Sequence, residues 1–269
     1  MNSTCAKTIV FSDLDGTLLD HYTYSYKDSL KGINLLKEKK IPLIICTSWT
    51  FAQMEKFMKS ANLNNPFIME DGGAIYIPKD FFDFKYHFDK QKGKYNIIEL
   101  GTPIKKITLV LNEIKNKYSI TTFSDMTIEE LSKDANFSPK SAKLAKMREY
   151  DEAFKINKKG ETEKIIEMIE QKGYLCTNGA RYYHIMKNND KGKAVKILTA
   201  LFKRKYKNIR TIGLGDSKND IAMLKEVDVP VIVRNSARLR IKDFDAITTK
   251  HEGPKGWMEA VLKFALNKA

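Results

Sequence analysis

Two aspartates stand one residue apart in Asp13-Leu14-Asp15-Gly16-Thr17, directly after the apolar run 8–12. Such a run reads as a buried strand, so the two carboxylates leave its end into one small space. Like charges that close repel and call for a cation, and hard oxygen ligands suit magnesium. Gly16 permits the sharp departure of the backbone. Three further segments carry compatible chemistry. Thr47-Ser48 follows the run 41–46, and a hydroxyl with free N–H groups at a strand-to-helix junction suits a phosphate. Asp190-Lys191-Gly192-Lys193 leads into a helical pattern, where a lysine offers a point charge to a phosphoryl group. Gly213-Leu214-Gly215-Asp216-Ser217-Lys218-Asn219-Asp220 adds two more acids and an amide at a glycine-rich turn. Taken singly, each also matches an ordinary capped turn. Their agreement in place carries the functional reading. In a parallel sheet the carboxyl ends of the strands share one edge, and ligands bind there.

The elements that must position these residues alternate. Strands are expected at 8–12, 42–46, 66–69 and 74–77, with helical spacing at 26–36 and 51–61 between them. The rhythm resumes after Lys191 with a helix, a strand at 210–214, a helix at 221–227, a strand at 229–233 and a closing helix at 257–266. This pattern predicts an α/β fold with a Rossmann-like parallel-sheet core. The middle of the chain differs. Helices at 104–114, 127–135, 140–147 and 161–172 mix with strands at 119–124, 153–156 and a pair at 174–177 and 181–186. That is an α+β insertion, and an insertion whose ends lie close together suits a lid. The expected organisation is core 1–82, inserted cap 83–190 and core 191–269.

The 269 residues are 42% hydrophobic and 30% charged, enough for a substantial core. No run approaches the roughly 18 apolar residues that cross a bilayer, and no signal sequence is legible, so a cytoplasmic protein without a membrane partner is expected. Cys5, Cys46 and Cys176 form no CxxC pair. The net charge of +14 arises from lysines scattered among glutamates, with no basic stripe interleaved with aromatics. Nucleic acid is therefore not an expected partner.

Asp13–Thr17, Thr47, Lys191 and the block from Gly215 to Asp220 together resemble, in order, the four motifs of the haloacid dehalogenase superfamily. The resemblance spans essentially the whole chain, and the insertion lies where the family carries its larger α/β cap. Glu70-Asp71-Gly72-Gly73, Phe123-Ser124-Asp125-Met126-Thr127, Arg148-Glu149-Tyr150-Asp151-Glu152, Arg181-Tyr182-Tyr183-His184 and Gly253-Pro254-Lys255-Gly256-Trp257 are similar to a branch acting on sugar-containing phosphoglycerates. That branch usually has an asparagine at 71, a lysine at 49 and a proline at 153, where this chain has Asp71, Trp49 and Ala153.

The resemblance implies a Mg2+-dependent phosphatase acting on a small anionic sugar phosphate. Asp13 is the expected nucleophile and Asp15 the acid and base. Asp13, Asp15 (by its carbonyl), Asp216 and Asp220 are the expected metal ligands. Thr47, Ser48, Lys191 and Asn219 are expected to hold the phosphoryl group. Glu70, Asp71, Arg148, Arg181 and His184 are expected to face the sugar and the glycerate carboxylate, for which a guanidinium offers a bidentate contact. A phosphosugar mutase would use the same nucleophile, and a pure binding protein would not need the acid beside it.

Overall fold

The computed structural model describes residues 6–178, 182–235 and 244–267. Its strands are β1 (Lys7–Ser12), β2 (Leu43–Cys46), β3 (Phe67–Met69), β4 (Ala74–Pro78), β5 (Lys90–Lys92) and β6 (Tyr95–Glu99). Then follow β7 (Ile120–Thr122), β8 (Asp151–Ile156), β9 (Leu175–Asn178) and β10 (Tyr183–Met186), and finally β11 (Ile209–Gly215), β12 (Val229–Arg234) and β13 (Ile247–Glu252). Among the described residues they form two sheets. The larger runs β13-β12-β11-β1-β2-β3-β4-β6-β5, and the smaller β7-β8-β10-β9. From β13 to β3 all pairings are parallel, and β4, β6 and β5 continue antiparallel.

A parallel sheet covered on both faces needs strands that are apolar throughout. In β1, Ile9 and Phe11 pack with Val195, Leu198 and Phe202 of the helix Lys191–Tyr206. Val10 faces the opposite layer with Ile33, Met54, Met58 and Trp257. The alternation along one strand therefore feeds two cores. Helix Phe51–Ser60 starts at a capping box of Thr50 and Gln53, which fixes where β2 hands over to it. Asp190 caps helix Lys191–Tyr206 by accepting from the N–H groups of Gly192 and Lys193.

The smaller sheet is antiparallel. One face packs Phe154 and Ile185 against Ile107, Leu111, Ile165 and Ile169 of the helices Ile104–Lys115 and Thr162–Gln171. The other holds Phe123, Ala153 and Tyr182 against Leu131, Ala142 and Ala145.

The larger sheet extends further than expected. From sequence the insertion begins at 83, yet β5 and β6 hydrogen-bond into the large sheet. The aromatic connection before them packs Phe81 and Phe82 onto Phe202, which anchors it to the core helix. The chain leaves at Leu100 and Gly101, whose N–H groups donate to the Gly73 carbonyl. It returns beside its exit, where Thr102 N–H donates to the Lys187 carbonyl at 3.0 Å. Two other elements differ. Strand β13 is polar and mostly exposed, so its sequence carries no apolar signal. The closing helix starts earlier, at Gly253–Ala260 with Pro254 in its first turn, and widens into a π-helical turn at Val261–Ala265.

Candidate active site

The strand ladder places the acids. Asp13 follows β1, and its N–H donates to the Leu214 carbonyl at 2.9 Å, so the register of β1 on β11 sets it beside the Gly215–Asp216 turn. Carboxylate oxygens of Asp13, Asp216 and Asp220 lie within 4.8 Å of one another, and all three residues are buried. Lys191 sits among them. Its Nζ is 2.8 Å from Asp13 Oδ1, 2.7 Å from Asp220 Oδ1 and 3.5 Å from Asp71 Oδ1. The Thr17 hydroxyl and the Asn235 amide donate to the two oxygens of Asp216 at 3.0 and 2.7 Å. Gly16 has φ +81°, and a Cβ there would stand 2.8 Å from Asp216 Oδ2, so both backbone and space require glycine.

Asp220 also organises the loop. Its Oδ2 accepts the N–H groups of Asp216 and Ser217, each at 3.0 Å, while Oδ1 meets Lys191. Burial and the negative charges of Asp220, Asp216 and Asp15 push the Asp13 carboxyl well above the usual range, against the pull of Lys191. Burial disfavours the Lys191 ammonium, but Asp13, Asp220 and Asp71 outweigh it and hold the charge firmly. Four acids around one lysine leave excess negative charge in a low-dielectric space. Three converging carboxylates of hard oxygen character fit a divalent cation.

A second network lies where the chain re-enters the smaller unit. Glu70 and Asp71 adopt φ +44° and +52°, a left-handed conformation uncommon for two successive non-glycine residues. That turn aims the buried Glu70 carboxylate at the N–H groups of Glu149, Tyr150 and Asp151, at 2.5–3.1 Å. Asn189 donates to the carbonyls of Glu70 and Tyr150 at 2.9 and 3.0 Å, tying the return strand to the same point. Burial and the Asp151 charge raise the Glu70 carboxyl, with Arg148 opposing. Arg148 Nε and Nη2 donate to Asp151 at 2.5 and 2.6 Å, and Nη2 also reaches the Ser48 carbonyl at 2.8 Å. His184 Nδ1 lies 2.8 Å from Asp151 Oδ2. Burial alone would raise Asp151, yet Arg148 and His184 bring it well below the carboxylate range.

A cavity of about 420 Å³ opens over the acids. Asp13, Asp15, Ser48, Asp71, Arg148, His184 and Asn219 line it, together with Tyr24, Trp49, Phe137 and Tyr182. Thr47 is fully buried, and its hydroxyl accepts from the Trp49 N–H at 3.2 Å. Asp71 accepts from Asn219 at 3.2 Å. Arg181 lies outside the described residues. Arg148 was expected to meet a substrate carboxylate, and much of its donor fork is engaged by Asp151. Sequence gave no sign of that partner, of the Glu70 clamp, or of the Trp49 indole that donates to Asp15 Oδ2 at 2.8 Å.

Fold and acid cluster together define a haloacid dehalogenase-like hydrolase, and the chain belongs to that family, whose model matches residues 10–260. It is 45% identical over 262 residues to a glucosyl-3-phosphoglycerate/mannosyl-3-phosphoglycerate phosphatase of Methanococcoides burtonii, covering 95% of this chain and 96% of that protein. A protein of the same description from Persephonella marina is 38% identical over 259 residues, with 95% and 96% covered. In fold the chain is similar to a haloacid dehalogenase-like hydrolase from B. subtilis, with TM-score 0.70 at 16% identity over 96% of this chain and 99% of that one. No described helix is long and apolar enough to cross a membrane.

Proposed function

We propose that this chain is a magnesium-dependent phosphatase that hydrolyses mannosyl-3-phosphoglycerate and its glucosyl counterpart through a phosphoaspartate on Asp13. The meeting of Asp13, Asp216, Asp220 and Lys191 at the carboxyl edge of the sheet carries this reading. Names of the two relatives favour the paired substrates, which differ in the configuration of one hydroxyl.

Asp13, Asp216 and Asp220, with the Asp15 carbonyl, would hold magnesium, whose charge offsets that of the phosphoryl oxygens. Asp13 attacks phosphorus, the ester P–O bond breaks, and Asp15 gives its proton to the leaving oxygen. Asp15 then takes a proton from the water that cleaves the phosphoaspartate, releasing phosphate and restoring both residues. Lys191 fixes the attacking carboxylate and neutralises part of the incoming charge. Thr47, the Ser48 N–H and Asn219 complete the phosphoryl contacts. The unit between Thr102 and Lys187 acts as the cap that selects substrate. Its return segment presents Arg148 and His184, already oriented by Asp151, to the glycerate and sugar.

Free phosphate release from either compound, with magnesium and then with chelator, tests the reading. Asp13→Asn should retain the fold and lose at least about 10³-fold in kcat. Substantial turnover by that variant would remove Asp13 as nucleophile.

A further inference from the structure

We propose that Trp49 is a positioning residue for Asp15, holding its carboxyl in the orientation from which it serves the leaving group; the proposal rests on the phosphatase reading above. The indole Nε1 donates to Asp15 Oδ2 at 2.8 Å, and both side chains line the cavity. The indole is itself held. Its ring stands edge-on to Phe57, with centroids 6.3 Å apart and planes at 84°, and meets Tyr24 at 6.5 Å. Its main-chain N–H is tied to the Thr47 hydroxyl. Trp49 therefore sits at the junction of β2 with the following helix, on the same short segment as the expected phosphate contacts.

The chemistry of the donor matters. An indole N–H only donates and does not titrate in this range. It holds Oδ2 by one directed contact and so limits rotation of the carboxyl. In the first half-reaction the Asp13–phosphorus bond forms and the ester P–O bond breaks. The electron pair of that bond stays on the leaving oxygen, which takes the proton from the Asp15 carboxyl. A carboxyl free to rotate would leave that orientation part of the time, and part of the acid assistance would be lost.

Trp49→Phe keeps a ring against Phe57 and Tyr24 and removes the donor. The measurement is kcat/KM over a series of aryl phosphates of rising leaving-group pKa, which contain no sugar, and over the glycosyl phosphoglycerate. Good leaving groups need little protonation, so p-nitrophenyl phosphate should lose less than about 3-fold, whereas phenyl phosphate and the sugar ester should lose roughly 10- to 100-fold. In an Asp15→Asn background the same substitution should add no further dependence on the leaving group. Equal losses across the series, or none, would overturn the positioning role. So would a rise in KM for the sugar ester alone, which would make Trp49 merely a wall of the sugar pocket. Failure of the underlying reading is distinct, because Asp13→Asn would then retain turnover on every substrate whatever Trp49→Phe does.

Discussion

Lys191→Met isolates the electrostatics of the site. Nζ of Lys191 lies 2.8 and 2.7 Å from carboxylates of Asp13 and Asp220, and the residue is 2% exposed. At an effective dielectric near 20, one such contact amounts to about 6 kcal/mol of attraction. Desolvation of the lysine cancels part of this, and removing one partner of a buried pair typically costs about 3–5 kcal/mol. The loss should depend on pH. Burial and the neighbouring acids already raise the Asp13 carboxyl, and losing Lys191 raises it further. Between the unfolded value near 4 and the raised folded value, the native state holds a proton that the unfolded chain gives up. Stability of the variant relative to wild type therefore falls as pH rises through that window. Urea unfolding in chelator should show about 3–5 kcal/mol of destabilisation at about pH 8 and less as pH falls towards the unfolded value of Asp13, because proton uptake there replaces the missing charge. Magnesium should recover part of the loss at the higher pH. A destabilisation equal at both ends of that window, or below about 1 kcal/mol at about pH 8, would refute the picture of charged acids gathered on Lys191.

Two further substitutions probe the cap junction and the phosphoryl side. Glu70→Gln places an amide NH2 where Oε1 accepts from the Glu149 N–H and removes the negative charge behind the three contacts of Oε2, so donor faces donor at this junction and stability should fall by about 1–3 kcal/mol in urea unfolding. KM for the phosphoglycerate substrate should rise with it, since the segment carrying Arg148 loses its anchor; unchanged stability would show that the clamp holds nothing. Asp71→Asn removes a negative charge 3.5 Å from Lys191 on the wall of the cavity. It should lower KM for the anionic substrate by roughly 10-fold, about 1.4 kcal/mol, and raise the magnesium concentration needed for half activity; a higher KM would make Asp71 a substrate ligand.

The acid-lined edge of the sheet was legible because its logic needs little three-dimensional information. Apolar runs at 8–12 and 41–46 and the strand before Gly215 imply a parallel sheet, and chain direction then forces Asp13, Thr47 and Asp216 to one rim. Lys191 follows from the cap at Asp190. What stayed hidden depends on partners distant in sequence. Arg148 carries no mark that Asp151 and the Ser48 carbonyl engage it. Glu70 and Asp71 look like acids facing a sugar, and only their left-handed backbone sends Glu70 inward to the 149–151 segment. Strands β5 and β6 hid for a simpler reason. Lys90–Lys92 is entirely exposed, so the hairpin shows no two-sided apolar run.

The departures at 49 and 71 bear on one quantity. Replacing the branch's usual lysine by Trp49 removes a positive charge, and replacing its asparagine by Asp71 adds a negative one, so the cavity is two charges more negative. Asp71 is buried, and its tolerance there follows from Lys191 and from the Asn219 amide, which donates to it at 3.2 Å. Trp49 keeps a hydrogen-bond donor at the rim without the charge. Both exchanges strengthen the hold on a cation and weaken attraction for a substrate carrying phosphate and carboxylate. On the function proposed above, the anion would be secured by groups oriented before it arrives, and Arg148, braced by Asp151 and the Ser48 carbonyl, would be such a group. On that same function, specificity would then rest on the rigidity of the cap junction more than on long-range charge.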